Sequence, residues 1–153
     1  MPNADGQGAH PTAALEKSFV VRAATVDDVE ALNRFIDPFV QQGRLLPRTR
    51  DELEDLAQHG FVAISNDRIL GFAALEIYSN KLAELRSLAV SQEFQGRGVG
   101  KALVNACIER ARQHNVFEVM AITSSEEFFQ RCGFDFTLPG EKKALFLQTR
   151  ETY

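Results

Sequence analysis

The sequence predicts an α/β (α+β) fold, with a mixed central sheet of about six to seven strands flanked by about four helices. Three observations lead to this prediction. Short runs rich in Val, Ile and Phe alternate with segments in which apolar residues recur at three and four positions. The run from Leu82 to Val90 is apolar on both faces apart from three polar residues, which is typical of a covered central strand. With 153 residues, 44% of them hydrophobic, the chain can fill one core.

The first half of the chain begins with a strand and two helices. Residues 19–22 are the first predicted strand, because three apolar residues precede an arginine there. Capping boxes that begin at Thr25 and Thr49 each open a helix. Pro38 removes a backbone donor and tightens the last turn of the first helix, which we expect to stop before Gly43.

A hairpin, the central strand and a long helix follow. Residues 61–65 and 69–78 flank the polar turn Asn66-Asp67-Arg68, which predicts two antiparallel strands. After the central strand, an apolar stripe predicts a helix from Val99 to about His114. The remaining predicted elements are a strand from Val116 to Ile122, a short helix from Ser124 to Gly133, and closing strands at Phe134, Phe136 and Ala144 to Leu147.

The bulk properties exclude several classes of function. Residues 1–18 lack the apolar middle of a signal peptide and predict a disordered leader before a single domain over 19–153. A net charge of -4 without a basic run argues against nucleic acid, and no stretch reaches membrane-spanning length. Cys107 and Cys132 give neither a disulfide framework nor metal-ligand spacing. We expect a cytoplasmic protein that holds no metal and binds neither nucleic acid nor membranes.

The most informative segment is a glycine-dense loop between the central strand and the long helix. The residues from Gln95 to Lys101 include three glycines, and backbone amides at a helix N-terminus have no partner within the helix. Such a junction predicts a phosphate site. A P-loop would need Ser or Thr where Ala102 stands, and a dinucleotide fingerprint would need glycine where Leu103 stands. The pattern that remains is Gln/Arg-x-x-Gly-x-Gly/Ala.

This loop, the strand ending Leu88-Ala89-Val90 and the segment Phe128 to Phe134 resemble the GCN5-related N-acetyltransferases. The resemblance covers the chain from about Phe19 onward and implies the fold of that family, with acetyl-CoA as cosubstrate and its pyrophosphate on the loop. The residues implied to bind acetyl-CoA are Leu88, Ala89, Val90, Gln95, Gly96, Arg97, Gly98, Val99, Gly100, Lys101 and Phe129.

Acetyl transfer to an amine needs a base, a donor to the thioester oxygen and a proton for the departing thiolate. Glu84, in the middle of the central strand, is the candidate base; the alternative is an ion pair with Arg86 two residues on. The resemblance implies that the strand bulges at Val90 and frees its N–H for the thioester oxygen. Thr123 could supply the proton, or it could simply be part of a helix N-cap.

Two residues in the last helix limit the alternatives. Phe129 stands where the family usually has a tyrosine as general acid, so the acid is not assigned by resemblance. Cys132 invites an acetyl-cysteine intermediate, but nothing near it in sequence would lower its pKa. We therefore expect direct transfer from acetyl-CoA to the amine.

Within the family, the chain resembles the acetyltransferase domain of the N-acetylglutamate synthases, enzymes of arginine biosynthesis. The matching pieces are residues 42–53, 83–90, 128–134 and the tail around residues 138–152. The resemblance implies glutamate as the acceptor, since arginine binds a carboxylate in a bidentate manner. The substrate contacts that the resemblance implies are Arg48, Arg150, Thr152 and the backbone around Ser87. Arg86 stands where those synthases commonly have a small residue, and it is a candidate for an additional contact with a substrate carboxylate.

Several alternatives stay open. Arg48 and Arg150 could be ordinary surface cations, and Arg86 could be a structural partner of Glu84 instead of a substrate contact. The acceptor could be a peptide N-terminus or a polyamine, although a polyamine would require acidic walls. A non-catalytic acyl-CoA sensor would keep the loop without turnover. A homodimer is compatible with the sequence.

Overall fold

The computed structural model describes residues 18–136, 140 and 143–151. Five strands form one mixed sheet in the order in which they occur along the chain. The first four pair antiparallel with their neighbours, and the fifth runs parallel to the fourth. The strands are β1 (Val20–Ala23), β2 (Gly60–Ser65), β3 (Arg68–Ile77), β4 (Leu82–Val90) and β5 (Glu118–Ala121).

Four α-helices cover the sheet, and the predicted starts of the first two are confirmed. The helices are α1 (Val29–Gln41), α2 (Arg50–Gln58), α3 (Val99–Gln113) and α4 (Glu126–Arg131). A short 3-10 turn with a capping box at Thr25 leads into α1, and the Thr49 side chain caps α2 by accepting from the N–H of Glu52 at 3.3 Å. Helix α1 contains Pro38 and ends before Gly43, as expected.

The hairpin of β2 and β3 turns at Asn66 and Asp67, which have φ values of 49° and 58°. Both values are positive, which is the geometry of a two-residue hairpin turn whose twist matches that of the strands. Asn and Asp accept this conformation more readily than other residues with a side chain. The predicted hairpin is therefore confirmed, and it places β3 beside β4.

The core forms two layers, one on each face of the sheet. On one face, α1 and α2 pack against β2 and β3, with Leu32 and Phe72 almost fully buried. On the other face, α3 packs with Leu75, Leu85 and Leu103 in its cluster, and Phe129 of α4 joins them. Because side chains alternate along a strand, Glu84 and Arg86 lie on the α1/α2 face of β4.

Strand β4 is the central element of the site because it changes its pairing along its length. Its first half pairs with both β3 and β5, but the pairing with β5 ends at Leu85, opposite Ala121. The second half continues to Val90 beside β3 alone. Where β4 and β5 separate, a gap opens between the two parallel strands.

The α/β class and the mixed sheet are confirmed, but the described residues form five strands and not the expected six to seven. No strand forms over 144–147 within the described residues, and Leu145, Phe146 and Leu147 are exposed. Phe136 is exposed as well, whereas Phe134 packs edge-on against Phe129 at 5.2 Å between ring centres. An apolar run forms a strand only when a partner backbone is aligned with it, and here it runs without one.

The predicted leader lies outside the described residues apart from Ser18. Across the part of the chain that the structure describes, none of the helices has both the length and the apolar character needed to cross a bilayer. In the same part of the chain, no group of three or more His, Cys, Asp or Glu side chains is arranged to hold a metal ion.

Candidate active site

A cavity of about 960 Å³ opens where β4 and β5 separate. Its walls are the second half of β4, the loop between α1 and α2, the loop before α3, and the segment from Ile122 into α4. The fold thus joins four segments that are far apart in sequence. The predicted site residues that line the cavity are Arg48, Glu84, Arg86, Ser87, Leu88, Ala89, Val90, Gln95, Gly96, Gly98, Gly100, Lys101, Thr123 and Phe129.

The glycine-rich loop forms an uncapped helix start at the cavity wall. Gly96 and Gly98 have φ values of 74° and 86°, a conformation that only glycine adopts without strain. The first hydrogen bond of α3 runs from the N–H of Ala102 to the carbonyl of Gly98 at 3.0 Å. The three amides from Val99 to Lys101 therefore have no acceptor within the helix, and no acidic residue lies in this first turn. This arrangement can bind an anion.

Gly100 is needed for a different reason from the two glycines before it. A Cβ at this position would lie 3.2 Å from the Phe128 ring and 3.6 Å from a methyl group of Val90. The absent side chain lets α3 approach α4 and the end of β4 closely. A second tie holds the loop to β4, since the Gln95 side-chain amide donates to the Val90 carbonyl at 3.2 Å.

Two of the predicted acetyl-CoA residues do not line the cavity. Arg97 is exposed and its guanidinium stacks over the Phe94 ring at 5.2 Å. The side chain of Val99 is buried in the core beneath α3, so only its backbone can reach a ligand. The glycine pattern predicted the position of the loop, but it could not tell which side chains of the loop point away from the cavity.

Glu84 lies half-buried in the cavity wall, and its hydrogen-bond partner is the hydroxyl of Tyr78, which donates to Oε2. Arg86 does not pair with Glu84. Its guanidinium instead binds Glu76 Oε2 at 2.5 Å, so the ion pair considered as an alternative role for Glu84 does not form. Burial, together with the hydrogen bond to Glu84, raises the pKa of Tyr78 to about 12.

The expected bulge occurs in β4 but earlier than Val90. The register with β3 shifts between Phe72 and Ala74, which leaves one extra residue in β4, and Ser87 has a φ of 57°. Val90 itself pairs regularly with Gly71. Because hydrogen bonding alternates along an antiparallel pair, the bond from the Ser91 N–H to the Leu70 carbonyl at 2.7 Å directs the Val90 N–H away from β3. That direction is toward the gap.

Thr123 lines the cavity and also caps the turn before α4. Its Oγ1 accepts from the Ser125 N–H at 2.9 Å, which matches the capping role considered as its alternative. The hydroxyl proton stays available for another acceptor, because the oxygen is used here only as an acceptor. Phe129 is 6% exposed and packs edge-on against Phe128 and Phe134.

Cys132 does not have the surroundings of a nucleophile. Burial raises the pKa of its thiol despite the nearby charges of Lys101 and Arg131. We expect Cys132→Ala to keep kcat within about twofold of the unchanged protein, because a neutral thiol takes no part in direct transfer. Mass spectrometry after mixing with acetyl-CoA checks this, and an acetyl group trapped on Cys132 would contradict direct transfer.

The cavity walls are cationic. Among the described residues, Glu84 is the only acidic side chain in the lining, and the basic side chains are Arg44, Arg48, Arg86, Lys101 and Arg131. Arg48 is half-buried and forms no ion pair within the described part of the chain. By contrast, Arg50 lies outside the lining and binds Glu30 and Glu54 at 2.7 and 2.9 Å.

Sequence reasoning did not identify two of these cations as site residues. It also predicted substrate contacts in the C-terminal tail that are not part of the cavity lining in the described structure. Arg44 lies in the same segment as Arg48 and stacks on Phe39 at 5.5 Å, and Arg131 follows the aromatic pair of α4. Arg150 is exposed and is not part of the lining. Thr152 lies outside the described residues, so its predicted substrate contact has no counterpart in the structure.

The family model described as the acetyltransferase (GNAT) family matches residues 26–134, which is most of the chain. The chain belongs to this family. The family expected from the loop and the last helix is therefore confirmed, and the protein is an acetyltransferase. GNAT enzymes use acetyl-CoA as the acyl donor.

Known GNAT relatives match both the sequence and the fold. An amino-acid acetyltransferase of Pasteurella multocida is 33% identical over 136 residues, which are 84% of this chain and 31% of that protein. A Mycobacterium tuberculosis protein, Rv2747, was solved in complex with CoA and NLQ; it has a TM-score of 0.69 at 31% identity, over 77% of this chain and 74% of that one.

A third comparison is with N-acetylglutamate synthase from Neisseria gonorrhoeae, solved with coenzyme A and N-acetyl-glutamate. It has a TM-score of 0.68 at 28% identity, over 74% of this chain and 28% of that one. The chain thus spans under a third of the length of the Pasteurella and Neisseria proteins.

Proposed function

We propose that this acetyltransferase transfers the acetyl group of acetyl-CoA to the amino group of a small amino acid, with L-glutamate as the preferred acceptor. The observation that carries the proposal is the single cavity that joins an uncapped helix start, one carboxylate and a cationic wall. Each of the three parts matches one requirement: a phosphate site, a base and a partner for a carboxylate.

The acyl donor would bind with its pyrophosphate on the amides from Val99 to Lys101, where the helix dipole and the free donors favour negative charge. Its thioester arm would then extend into the gap between β4 and β5. The Val90 N–H, which is directed away from β3, would donate to the thioester oxygen as that oxygen gains charge. Packing of Phe128 and Phe129 would exclude water from this end of the gap.

The transfer follows from the position of Glu84. The carboxylate takes a proton from the ammonium group of the acceptor, and the free amine attacks the thioester carbonyl carbon. A C–N bond forms, the C–S bond breaks, and coenzyme A leaves as a thiolate. That thiolate gains a proton from the Thr123 hydroxyl or from water. The attacking nitrogen gives up its second proton as the amide forms, and this proton replaces the one taken from Thr123 or water. The products are the N-acetylated amino acid and coenzyme A, and Glu84 returns its proton to solvent.

The charges of the wall favour an acidic acceptor. Arg86 and Arg131 of the wall are paired with Glu76 and Glu127. The remaining cations of the lining, Arg44, Arg48 and Lys101, still outnumber its one acidic side chain and would repel a polyamine. Arg48 forms no ion pair in the described structure, so its planar guanidinium can bind a substrate carboxylate with two hydrogen bonds. The names of the Pasteurella and Neisseria relatives support an amino acid, and glutamate in particular, as the acceptor. Arg150 and Thr152 are further substrate contacts that rest on the resemblance alone.

The test is the selectivity between glutamate and glutamine, which differ by one charged oxygen. A charge-assisted hydrogen bond of roughly 1.5–3 kcal/mol makes glutamate preferred by about ten- to a hundredfold in kcat/KM. We expect Arg48→Lys to reduce this preference, because an ammonium group cannot make the planar bidentate contact. Release of coenzyme A against a panel of amines measures both effects.

The matched control is Arg50→Lys, two residues away in the same segment. Arg50 is exposed and lies outside the cavity, so this change should leave the preference as it was. Efficient acetylation of polyamines or peptide N-termini, with glutamate ignored, would refute the proposed acceptor. Binding of acetyl-CoA without any turnover would instead identify an acyl-CoA sensor.

A further inference from the structure

Behind Glu84 lies a second carboxylate that the reaction does not use. Glu76 of β3 is the direct register partner of Glu84 in β4, and both side chains are on the α1/α2 face of the sheet. Like charges directly opposite each other on neighbouring strands are destabilising. The pair therefore needs neighbouring groups that stabilise both carboxylates.

Two neighbours make the carboxylates unequal. Arg86 binds Glu76 at 2.5 Å, and although burial opposes its charge, the bond and the charge of Glu76 leave the pKa of Arg86 above its usual value. Tyr78 donates its hydroxyl proton to Glu84, while the same hydroxyl oxygen lies 3.5 Å from Glu76 Oε2. Glu76 is therefore neutralised by a cation, and Glu84 is held by a neutral donor.

The cavity reaches only one end of this chain of contacts. Glu84 and Arg86 are part of its lining, whereas Glu76 and Tyr78 are not. Tyr78 is half exposed on the outer side of the hairpin turn between β3 and β4. Oε2 of Glu84 thus accepts the hydrogen bond of Tyr78, which lies outside the cavity. The other oxygen of the carboxylate is available to the acceptor in the cavity.

We propose that Tyr78, with the pair of Glu76 and Arg86, positions Glu84 as the base of the reaction. In this arrangement Arg86 is a positioning residue and not a clamp for the substrate. The inference rests on the proposed role of Glu84 and adds three residues to it. The Tyr78 hydroxyl remains a donor throughout the working range of pH because its pKa is about 12.

The first test is a double-mutant cycle on turnover. Tyr78→Phe keeps the ring and removes the donor, and we expect kcat/KM to fall about ten- to a hundredfold, as for a lost hydrogen bond to a charged group. In a Glu84→Gln background the same change should cost less than about twofold, because Tyr78 acts only through Glu84. An equal loss in both backgrounds, or no loss in the unchanged background, would overturn the proposal. The melting shift caused by acetyl-CoA should be the same in all four proteins.

A second readout does not need catalysis. The Glu84 carboxyl carbon, followed by NMR at neutral pH, should change its chemical shift in Tyr78→Phe, because the carboxylate has lost the hydrogen bond from the Tyr78 hydroxyl. The other groups around it stay the same in the two proteins: Glu76, Arg86, Met120 opposite on β5, and the cations of the cavity wall.

An identical carboxyl-carbon signal in the two proteins would overturn the positioning role, whatever the acceptor is. A changed signal in a protein that acetylates no amino acid would refute the proposed acceptor and leave the positioning role intact. Glu76→Gln adds a further check, since it frees Arg86 to pair with Glu84 and should therefore lower kcat/KM. Removing that arginine as well, in Glu76→Gln/Arg86→Gln, should restore part of the loss, and failure to restore any of it would contradict the assigned role of Arg86.

Discussion

Glu84→Gln is expected to lower kcat by about 10²- to 10⁴-fold, the usual contribution of a general base. The change keeps the shape of the side chain and its contact with Tyr78 but removes the proton acceptor. Affinity for acetyl-CoA should stay nearly unchanged, because the phosphate loop lies at another part of the cavity. Steady-state assays of coenzyme A release, combined with melting curves, measure the two effects separately.

The control for this substitution is Glu118→Gln at the start of β5, a half-buried carboxylate outside the cavity lining. That variant should keep its activity. Full activity in Glu84→Gln would mean that the carboxylate only supports the sheet next to Tyr78 and that the amine loses its proton to water. The wild-type rate should also rise with pH, because the amino group of a free amino acid is mostly protonated at neutral pH.

Gly98→Asp is expected to abolish stabilisation by acetyl-CoA. A ligand at about a hundred times its dissociation constant stabilises the native state by roughly 2.7 kcal/mol, which is a clear shift in melting temperature. Aspartate would place a negative charge at the anion site and would disfavour the φ of 86° that the loop needs. Thermal melts with and without acetyl-CoA give the result.

Gly133→Asp is the matched control for the loop. Gly133 also has a positive φ, of 95°, with open space where a Cβ would be, but it is not part of the cavity lining. Both substitutions replace a glycine of positive φ, so both should lower the stability of the fold by comparable amounts. Only Gly98→Asp should abolish the rise in melting temperature that acetyl-CoA causes. If acetyl-CoA leaves the melt of the unchanged protein unaltered, the phosphate site is not where the glycines indicate.

Sequence patterns predicted most of the fold because the decisive signals are local. The caps at Thr25 and Thr49, the turn at Asn66 and the glycines before α3 each act within a few residues of the chain. The glycine loop also located the cavity, since it fixes both a backbone conformation and a donor set. The prediction of closing strands was wrong because a strand needs a partner strand, and that partner can come from a distant part of the chain.

The contacts around Glu84 were missed for a related reason. Counting back from the turn at Ser79 would have placed Glu76 opposite Glu84, but the register does not tell whether Arg86 pairs with Glu76 across the strands or with Glu84 on its own strand. Arg44 enters the cavity because of the path of the loop after α1, which no periodicity describes. Sequence patterns therefore predict the course of the backbone, but the directions of these side chains are known only from the structure.

The cationic wall has a consequence for the end of the reaction cycle. Coenzyme A keeps every phosphate of acetyl-CoA and lacks only the small neutral acetyl group. The charges that bind acetyl-CoA therefore bind the product coenzyme A as well. The chain as a whole carries a net charge of -4, whereas the cavity lining holds more basic than acidic side chains, so the positive character belongs to the cavity and not to the chain as a whole. Free coenzyme A should therefore compete with acetyl-CoA for the cavity, and it should inhibit the reaction as its concentration rises.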